Sequence, residues 1–354
     1  MNKINFRWNQ KLYTISEDQQ PLIIAEAGVN HNGDINLAKK LVDAAKKVGA
    51  DFVKFQTFHP REMATPAGAS PEYIKRESPK AESFYSLLEE LTLPDEAFEE
   101  LLNYCKQKDI IFLSTPYDNS SADLLDEISV PMFKIASTDT NNIPFIKYVA
   151  KKGKPMIIST GLSTLDDARE AQEACKSAGN NQVIIMQCTS NYPASIEAAN
   201  IKVISTYREK LGVLIGYSDH TNGELCAILA VGQGAVLFEH HFTLDKNLPG
   251  PDQSASTDPE EMKGYIKAIH DAYVALGDGV KRITPEEEPT KPRMQKSLTA
   301  TREIKAGEII SKDDILIRRP ATGIPPKRLN DVIGKIAAKN IRVDMPIRET
   351  DVKW

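Results

Sequence analysis

The sequence predicts an α/β protein, a (β/α)8 barrel followed by a small β-rich domain. Short apolar runs alternate with helix-length amphipathic segments from residue 22 to about residue 276, and there are eight such runs. Eight strand–helix units over about 255 residues match the count and length of a barrel of this class. The composition then changes after residue 280, which predicts the second domain.

The eight predicted strands are rich in Ile, Val, Leu and Phe without strict alternation, which is typical of parallel strands buried on both faces. They occupy residues 22–28, 51–57, 110–116, 132–137, 155–161, 183–189, 213–220 and 235–242. The main rival fold is an open doubly wound sheet, which usually carries a glycine-rich phosphate loop after its first strand. The segment AEAGVNHNGD that follows the first strand here has its two glycines at the wrong spacing for that loop.

Helix signals lie between the predicted strands. Residues 36–50 repeat apolar side chains at three- and four-residue steps and predict a helix that ends near Gly49. Residues 94–109 open with Pro-Asp-Glu, which suits the beginning of a helix. Residues 164–179 begin with Thr164 as a candidate cap and have an aspartate three residues later.

The composition divides the chain into three predicted parts. Residues 1–280 form the barrel domain, and residues 281–296, with three prolines and many charges, form a linker. Residues 297–354 contain apolar runs of only three or four residues and form the small β-rich domain. A domain of this size is marginal alone and gains from docking on another surface.

Bulk properties exclude several classes of function. The net charge of −5 gives no basic footprint, so we expect no nucleic-acid partner. No apolar run reaches the roughly 18 residues of a membrane helix, and the polar N-terminus lacks the apolar core of an export signal. The four cysteines are scattered without CxxC spacing, which predicts free thiols in a cytoplasmic protein.

Polar side chains stand at the carboxyl ends of all eight predicted strands, where a barrel carries its chemistry. A charged residue inside an apolar strand is costly unless it is paired or functional. One such lysine alone is as often a structural ion-pair partner as a functional group. The same placement at eight strand ends favours a site.

Two lysines and four hydroxyl residues at these ends predict a cradle for a phosphate dianion, because fixed charges offset it and hydroxyls bond its oxygens. They are Lys54, Lys134, Thr115, Ser137, Ser159 and Ser190.

Two histidines, His220 and His241, follow the seventh and eighth strands and suit a divalent cation such as Mn, Fe, Co or Zn. We expect the neighbouring His240 to be a core residue, because consecutive strand residues point to opposite faces. The carboxylates available for proton transfer or for sugar hydroxyls are Glu26, Asp219, Glu239 and Asp252.

Nine motifs, in this order along the chain, resemble the sialic acid synthase family, which includes N-acetylneuraminate, legionaminate and pseudaminate synthases. They are IIAEAGVNHNGD, DFVKFQT, FLSTPYD, FKIASTD, IISTGLS, QCTSNYP, IGYSDHT, EHHFTLDKNLPGPD and RRPATG. The resemblance implies a TIM barrel followed by an antifreeze-like (SAF) domain. It also implies a transferase that joins phosphoenolpyruvate to an N-acyl mannosamine-type sugar, giving a nonulosonic acid and phosphate by metal-assisted C–O cleavage.

The resemblance also implies roles for single residues. Mn²⁺, with Mg²⁺ or Co²⁺ as alternatives, would be held by His220 and His241. Phosphoenolpyruvate would be held by Lys54, Thr115, Lys134, Ser137 and Ser190, where Ser190 stands in a position that is Asn in some members. The sugar and the reacting centre would be contacted by Glu26, Tyr192, Glu239 and Asp252.

Family members form domain-swapped homodimers in which the SAF domain covers the barrel mouth of the partner. The arginine of an Arg-Pro-x-x-Gly turn then reaches the sugar in the other subunit. Arg319 matches that arginine here, and Arg318 beside it matches less well.

The acceptor sugar stays open between N-acetylmannosamine and a 6-deoxy diacetamido hexose. Arg293 stands where some N-acetylneuraminate synthases carry a phenylalanine near the N-acyl group, and residues 66–81 also differ.

Two rival functions remain at this level. A Schiff-base aldolase would use Lys134 as its nucleophile. A carbohydrate-binding protein with a degenerate barrel would not need both lysines and both histidines.

Overall fold

Eight parallel strands organise residues 1–277, the first of the two units (1–277 and 278–354) into which the chain divides. The structure is a computed structural model that describes residues 2–65 and 83–354. An N-terminal hairpin supplies β1 (Lys3–Trp8) and β2 (Lys11–Ser16). The barrel strands are β3 (Leu22–Gly28), β4 (Phe52–Thr57), β5 (Ile111–Pro116), β6 (Phe133–Ile135), β7 (Met156–Ser159), β8 (Val183–Cys188), β9 (Leu214–Asp219) and β10 (Leu237–His241).

The pairing of these strands confirms the predicted barrel. They are bonded in the order β5-β4-β3-β10-β9-β8-β7-β6, so the first barrel strand pairs with the last. Strands β5 and β6, at the ends of this order, also lie in contact, and the barrel is nearly closed. Seven of the eight barrel strands are one to three residues shorter than the sequence predicts. In β6 the strand ends at Ile135, and Ser137–Asp139 form a 3-10 turn.

Helices follow most of the barrel strands, and the three that the sequence predicts begin and end close to the expected residues. In the described residues the helices of the first unit are Ile35–Val48, Pro60–Met63, Phe84–Leu91, Asp95–Lys108, Asn119–Glu127, Ile143–Ala150, Leu165–Ser177, Ile196–Ala199, Val203–Leu211, Leu225–Gly232 and Pro259–Leu276. The first ends at Gly49, whose φ of 93° suits a residue without a Cβ atom. Thr164 caps its helix reciprocally with Asp167, as a capping box.

The hairpin of β1 and β2 lies at the amino ends of the barrel strands. Asn9 Nδ2 donates to the Lys106 carbonyl, and Lys11 pairs with Asp109. Lys106 and Asp109 lie just before β5. The alternating residues Ile4, Phe6 and Trp8 are buried in the same apolar core as the barrel. The hairpin therefore covers the floor of the barrel and leaves the carboxyl ends for chemistry.

The second unit has its own apolar core. Its strands are β11 (Ser297–Ala300), β12 (Ile315–Arg318), β13 (Ile336–Ala337) and β14 (Val352–Lys353), with short helices Lys291–Met294 and Leu329–Val332. Antiparallel pairs join β11 to β12 and β13 to β14. The core is formed by Leu298, Ala300, Ile304, Ile310, Ile315, Ile324, Val332, Ala337, Ile341, Ile347 and Val352. The linker over 281–296 stays a prediction.

In the described ranges, 2–65 and 83–354, no helix is both long and apolar enough to cross a membrane. The distinctive residues 66–81 of the sequence analysis lie outside the described residues.

Candidate active site

A cavity of about 560 Å³ opens at the carboxyl ends of the barrel strands. It is lined by twelve of the thirteen barrel residues that the sequence analysis names for the site. They are Glu26, Lys54, Thr115, Lys134, Ser137, Ser159, Ser190, Tyr192, His220, Glu239, His241 and Asp252. The strands bring these residues together because parallel strands present their carboxyl ends at one rim.

The polar floor of this cavity is a buried cluster of two lysines and two carboxylates. Lys54 Nζ lies 2.7 Å from Glu26 Oε2 and 3.6 Å from Glu239 Oε1, and Lys134 Nζ lies 3.5 Å from the same Glu239 oxygen. Lys54 Nζ also donates to Thr115 Oγ1 at 3.0 Å. All four charged residues are at most 4% exposed, so each charge depends on the others for its stability.

The environment drives these four pKa values in different directions. Burial raises the pKa of Glu26 against the opposing charge of Lys54, and burial lowers the pKa of Lys134. Burial also opposes the charges on Glu239 and Lys54. The two lysines nevertheless lower the pKa of Glu239, and the two carboxylates raise the pKa of Lys54. Glu26 is thus the carboxyl group best suited to hold a proton, and Glu239 the one best suited to stay ionised.

Hydroxyl groups line the wall beside the lysines. Ser159 Oγ is buried without a partner among the described residues, and Ser137 Oγ accepts from the Gly161 amide at 2.9 Å. A Cβ atom on Gly161 would collide with Ser190 Oγ and lie 2.9 Å from Ser137 Oγ, so a larger residue there would displace these hydroxyls. A buried donor without a partner is costly unless a ligand completes it.

Two histidines face each other at the next part of the cavity. The ring centroids of His220 and His241 are 5.3 Å apart, and the Tyr192 ring lies against both, at 4.3 and 5.4 Å. His220 Nδ1 donates to the Thr189 carbonyl at 2.8 Å, which leaves Nε2 as the nitrogen for a ligand. Asp252 Oδ2 lies 3.8 Å from His241 Nδ1.

These donors fit a divalent cation. Two imidazoles with a nearby carboxylate and open positions suit Mn²⁺-type ions, and Glu239 Oε2 is buried with no hydrogen-bond partner in residues 2–65 and 83–354. Burial lowers the pKa of His241 well below its usual value, which keeps the ring neutral as a ligand must be. Burial also opposes charge on His220, but the neighbouring Cys188 raises the pKa of the His220 ring to about 9. The ring therefore holds a proton that a bound cation would displace.

The loop that follows β3 and the loop that carries Asp252 are fastened together. Asn30 Nδ2 donates to the Phe242 carbonyl and to Ser256 Oγ, both at 2.9 Å, and Gln253 Nε2 donates to the Asn30 carbonyl at 3.0 Å. Burial raises the pKa of Asp252, which this loop presents to the cavity, to about 6.

Gly28 ends β3 at a register shift in its pairing with β4 and has a φ of +51°. A Cβ atom there would lie 3.2 Å from Gln56 Nε2 and 3.3 Å from Glu26 Oε1. Glycine at this position leaves room for the Glu26 carboxylate.

Three further residues singled out by the sequence analysis have different surroundings. Asp219 does not line the cavity, since its side chain faces outward from β9, in keeping with strand alternation around His220. Arg319 lies in the second unit and is exposed, whereas its neighbour Arg318 is engaged by Asp344 at 2.8 Å. Arg293 is exposed in the helix Lys291–Met294.

Sequence reasoning missed a second group of metal-type side chains. Among the described residues, only His59, Glu62 and Asp118 bring three such ligand atoms within 4.8 Å of one another. They follow the ends of β4 and β5, so the rule of strand ends could have found them. They do not line the cavity.

It also missed an apolar wall of the cavity, formed by Met63, Phe84, Leu87, Leu88 and Leu91. The signal was the amphipathic segment SFYSLLEEL, which reads as an ordinary core helix.

Comparisons with known proteins agree with this geometry. Residues 41–281 match the NeuB family, and residues 295–353 match the SAF domain. The chain is 41% identical to the N,N'-diacetyllegionaminic acid synthase of Campylobacter jejuni, over 94% of this chain and 100% of that protein. It is 42% identical to the protein of the same name from Legionella pneumophila, over 90% and 91%.

A solved structure is also similar. The crystal structure of the spore coat polysaccharide biosynthesis protein SpsE from Bacillus subtilis has a TM-score of 0.66 and 35% identity, over 99% of each chain. The chain therefore belongs to the NeuB family, the sialic acid synthase family that its motifs indicate, and is an enzyme of the transferases that make nonulosonic acids.

Proposed function

We propose that this enzyme condenses phosphoenolpyruvate with an N-acyl amino-sugar aldehyde to give a nonulosonic acid and inorganic phosphate. One observation carries the proposal: Lys54, Lys134, His220 and His241 line the same cavity. A dianion, a divalent cation and a carbonyl group can therefore meet there.

The lysine end would bind the phosphate of phosphoenolpyruvate. Glu239 is shared between both lysines at 3.5 and 3.6 Å, longer than a close ion pair, so a dianion can compete for both ammonium groups. The buried Ser159 hydroxyl offers a donor with no protein partner. Thr115, Ser137 and Ser190 line the same cavity and supply further donors.

His220 and His241 would hold the cation, for which we propose Mn²⁺, with Mg²⁺ or Co²⁺ as alternatives. When bound, such an ion supplies Lewis-acid polarisation of the aldehyde oxygen. Tyr192, which packs on both rings, and Asp252 line the same cavity and would contact the sugar.

C3 of phosphoenolpyruvate attacks the aldehyde carbon, and the aldehyde oxygen takes up a proton to become a hydroxyl group. Water adds at C2 and loses a proton, and the tetrahedral intermediate then collapses to the C2 ketone as the C2–O bond breaks and the bridging oxygen leaves with phosphate. Glu26 is suited to take the proton from the attacking water, because its pKa is raised and Lys54 holds it at 2.7 Å. Glu239 stabilises positive charge at C2 as a fixed anion.

The apolar wall favours the 6-deoxy diacetamido hexose as the acceptor. N-acetylmannosamine carries hydroxyls at C4 and C6, whereas the diacetamido sugar carries two more methyl groups there. Each buried methyl contributes about 0.8 kcal/mol, so two give a preference of roughly 10-fold. The relatives named N,N'-diacetyllegionaminic acid synthase support this choice.

We also propose the domain-swapped homodimer, in which the exposed Arg319 contacts the sugar in the other subunit. The second unit exposes Ile309, Leu316 and Ile317, which is apolar area that a partner surface would cover. All four cysteines are free and buried, in keeping with a cytoplasmic enzyme.

Phosphate release tests the reaction. Purified protein with Mn²⁺ and phosphoenolpyruvate is offered each candidate hexosamine separately, and the diacetamido sugar should give the higher kcat/KM. Leu87→Asn should reduce that preference, and Leu225→Asn, an exposed residue outside the cavity, should not. Release with neither sugar would refute the proposal. With ¹⁸O in the bridging position, label found in the sugar acid would exclude C–O cleavage.

A Schiff-base aldolase is the second candidate, because burial lowers the pKa of Lys134 and favours a neutral amine. Borohydride trapping with substrate separates the two reactions. A covalent adduct on Lys134 would favour the aldolase.

A further inference from the structure

Behind the histidine pair, on the side of the strands that faces away from the cavity, lies a buried polar cluster that we call the outer clamp. Its members are Tyr217, Asp219, Thr221, His240 and Tyr265. Asp219 and Thr221 are at most 1% exposed, and the others at most 3%. None of the five lines the cavity. Neither the phosphate cradle nor the proposed chemistry uses them.

Asp219 is the centre of the clamp. Its Oδ1 atom accepts from the Thr221 amide at 2.8 Å, from Thr221 Oγ1 at 2.7 Å and from Tyr217 OH at 3.1 Å. Its Oδ2 atom accepts from Tyr265 OH at 3.2 Å. Burial and the Asp219 charge raise the pKa of both tyrosines, so both phenols stay donors. Four donors compensate a fully buried carboxylate.

Strand register places this cluster directly behind the two proposed metal ligands. His240 and Asp219 are direct partners across β10 and β9, and the next residues along the two strands are His241 and His220. Because side chains alternate across a strand, fixing the outer pair fixes the direction of the inner pair.

The clamp also closes on the turn that contains His220. Asp219 bonds the amide of Thr221 on the far side of His220, and His240 Nε2 donates to the Thr221 carbonyl at 3.2 Å. The His240 ring stands edge-on to Tyr265, with centroids 4.9 Å apart. Residues 219–221 are thereby held from β9, β10 and the helix Pro259–Leu276.

We propose that Asp219 is a positioning residue that sets the mutual orientation of His220 and His241 and so the affinity of the site for a divalent cation. The inference rests on the proposed metal role of this pair. Residues that orient metal ligands from behind change metal affinity by about 10- to 100-fold when removed.

The test titrates Mn²⁺ into the full-length enzyme after a chelator has removed its metal, and electron paramagnetic resonance monitors the binding. Three variants are compared. Asp219→Ala should raise the Kd for Mn²⁺ by about 10-fold or more. Asp219→Asn keeps the Oδ1 acceptor and can donate its amide to the Tyr265 oxygen, so its Kd should stay within about 3-fold of the parent. Tyr265→Phe removes the bond to Asp219 Oδ2 and should raise the Kd by about 3-fold, with a lower Tm because a buried acceptor loses its donor.

Asp51→Ala is the matched control. Asp51 is a half-buried carboxylate at the opposite end of the barrel, where it accepts from the Ile23 amide at 2.8 Å. It should lower Tm without changing the Kd for Mn²⁺.

Three results would overturn the inference. The first is a parent-like Kd in folded Asp219→Ala, and the second is an equal loss in Asp51→Ala. If Asp219→Ala does not fold, an unchanged Kd in Tyr265→Phe decides against the clamp. His220→Ala separates this inference from the proposed metal site. Parent-like Mn²⁺ binding in that variant removes the metal site itself, and the inference with it.

Discussion

Two histidine-containing groups lie beyond the carboxyl ends of the barrel strands, and they differ in what their polar atoms already do. In the group of His59, Glu62 and Asp118, both Asp118 oxygens are engaged. Oδ1 accepts from the Ser121 amide at 2.6 Å, and Oδ2 accepts from the His59 amide and Ser121 Oγ, both at 2.8 Å. Asp118 is the cap of the helix Asn119–Glu127.

The residues of the cavity group are spaced more widely than those of the His59 group, but fewer of their polar atoms have hydrogen-bond partners. The bond to the Thr189 carbonyl uses His220 Nδ1 and leaves Nε2, and in the described part of the chain the buried Glu239 Oε2 and Ser159 Oγ have no hydrogen-bond partner. Ligand spacing alone would favour the His59 group, whereas unfilled hydrogen-bonding capacity favours the cavity. We therefore expect the cavity group to bind and react, and the His59 group to hold the fold.

Removing one histidine from each group should separate them most strongly. His241→Ala should lower kcat/KM by about 1,000-fold, because several kcal/mol of transition-state stabilisation depend on that ligand. His59→Ala should stay within a few-fold of the parent. Both are assayed by phosphate release after chelation and Mn²⁺ reloading, and near-normal turnover by His241→Ala would reverse the assignment.

A carboxyl group of the cavity gives the next largest effect. Glu26→Gln removes the group whose pKa burial raises, and kcat should fall by about 100-fold or more. The pH profile of kcat is the second measurement, since the acidic limb, over which a base such as Glu26 becomes protonated, should disappear in the variant. A profile that keeps the limb would assign it to another group.

Asp118→Ala should act on stability and leave catalysis alone. It strips the cap from Ser121 and His59, which costs about 1–2 kcal/mol in the free energy of unfolding. Urea unfolding measures that loss, with phosphate release as the control. A large loss of activity at full stability would mean that this group serves the reaction.

The smallest effect is a pH dependence at His59. Burial opposes its charge, but Asp118 and then Asp95 raise its pKa above the usual 6.5. The contribution of protonated His59 to the free energy of unfolding is therefore complete below pH 6.5, and it is lost as the pH rises through the folded-state pKa. His59→Gln should destabilise by about 0.5 kcal/mol at pH 5.5 and less at pH 9, since the pair is partly exposed and screened. An opposite trend would contradict the raised pKa.

The fold could be predicted from the sequence because eight buried parallel strands leave a periodic apolar signal. The gathering of Lys54, Lys134 and Glu239 followed from strand ends alone. The direction of Asp219 was also within reach, because alternation applied to His220 places its neighbour outside. The apolar wall could not be predicted from the sequence, since Leu87 and Leu88 face a cavity that only the tertiary structure creates.

The hairpin at the amino ends of the barrel strands affects how molecules enter and leave the cavity. Among the described residues Phe6 and Trp8 cover the amino ends, so we expect molecules to enter and leave by the mouth. Lys54 and Lys134 are 3% exposed in their side chains, against 11% and 15% for His241 and Asp252. The proposed anion site therefore lies deeper than the proposed sugar site, and we expect phosphoenolpyruvate to arrive before the sugar and phosphate to depart after the nine-carbon product.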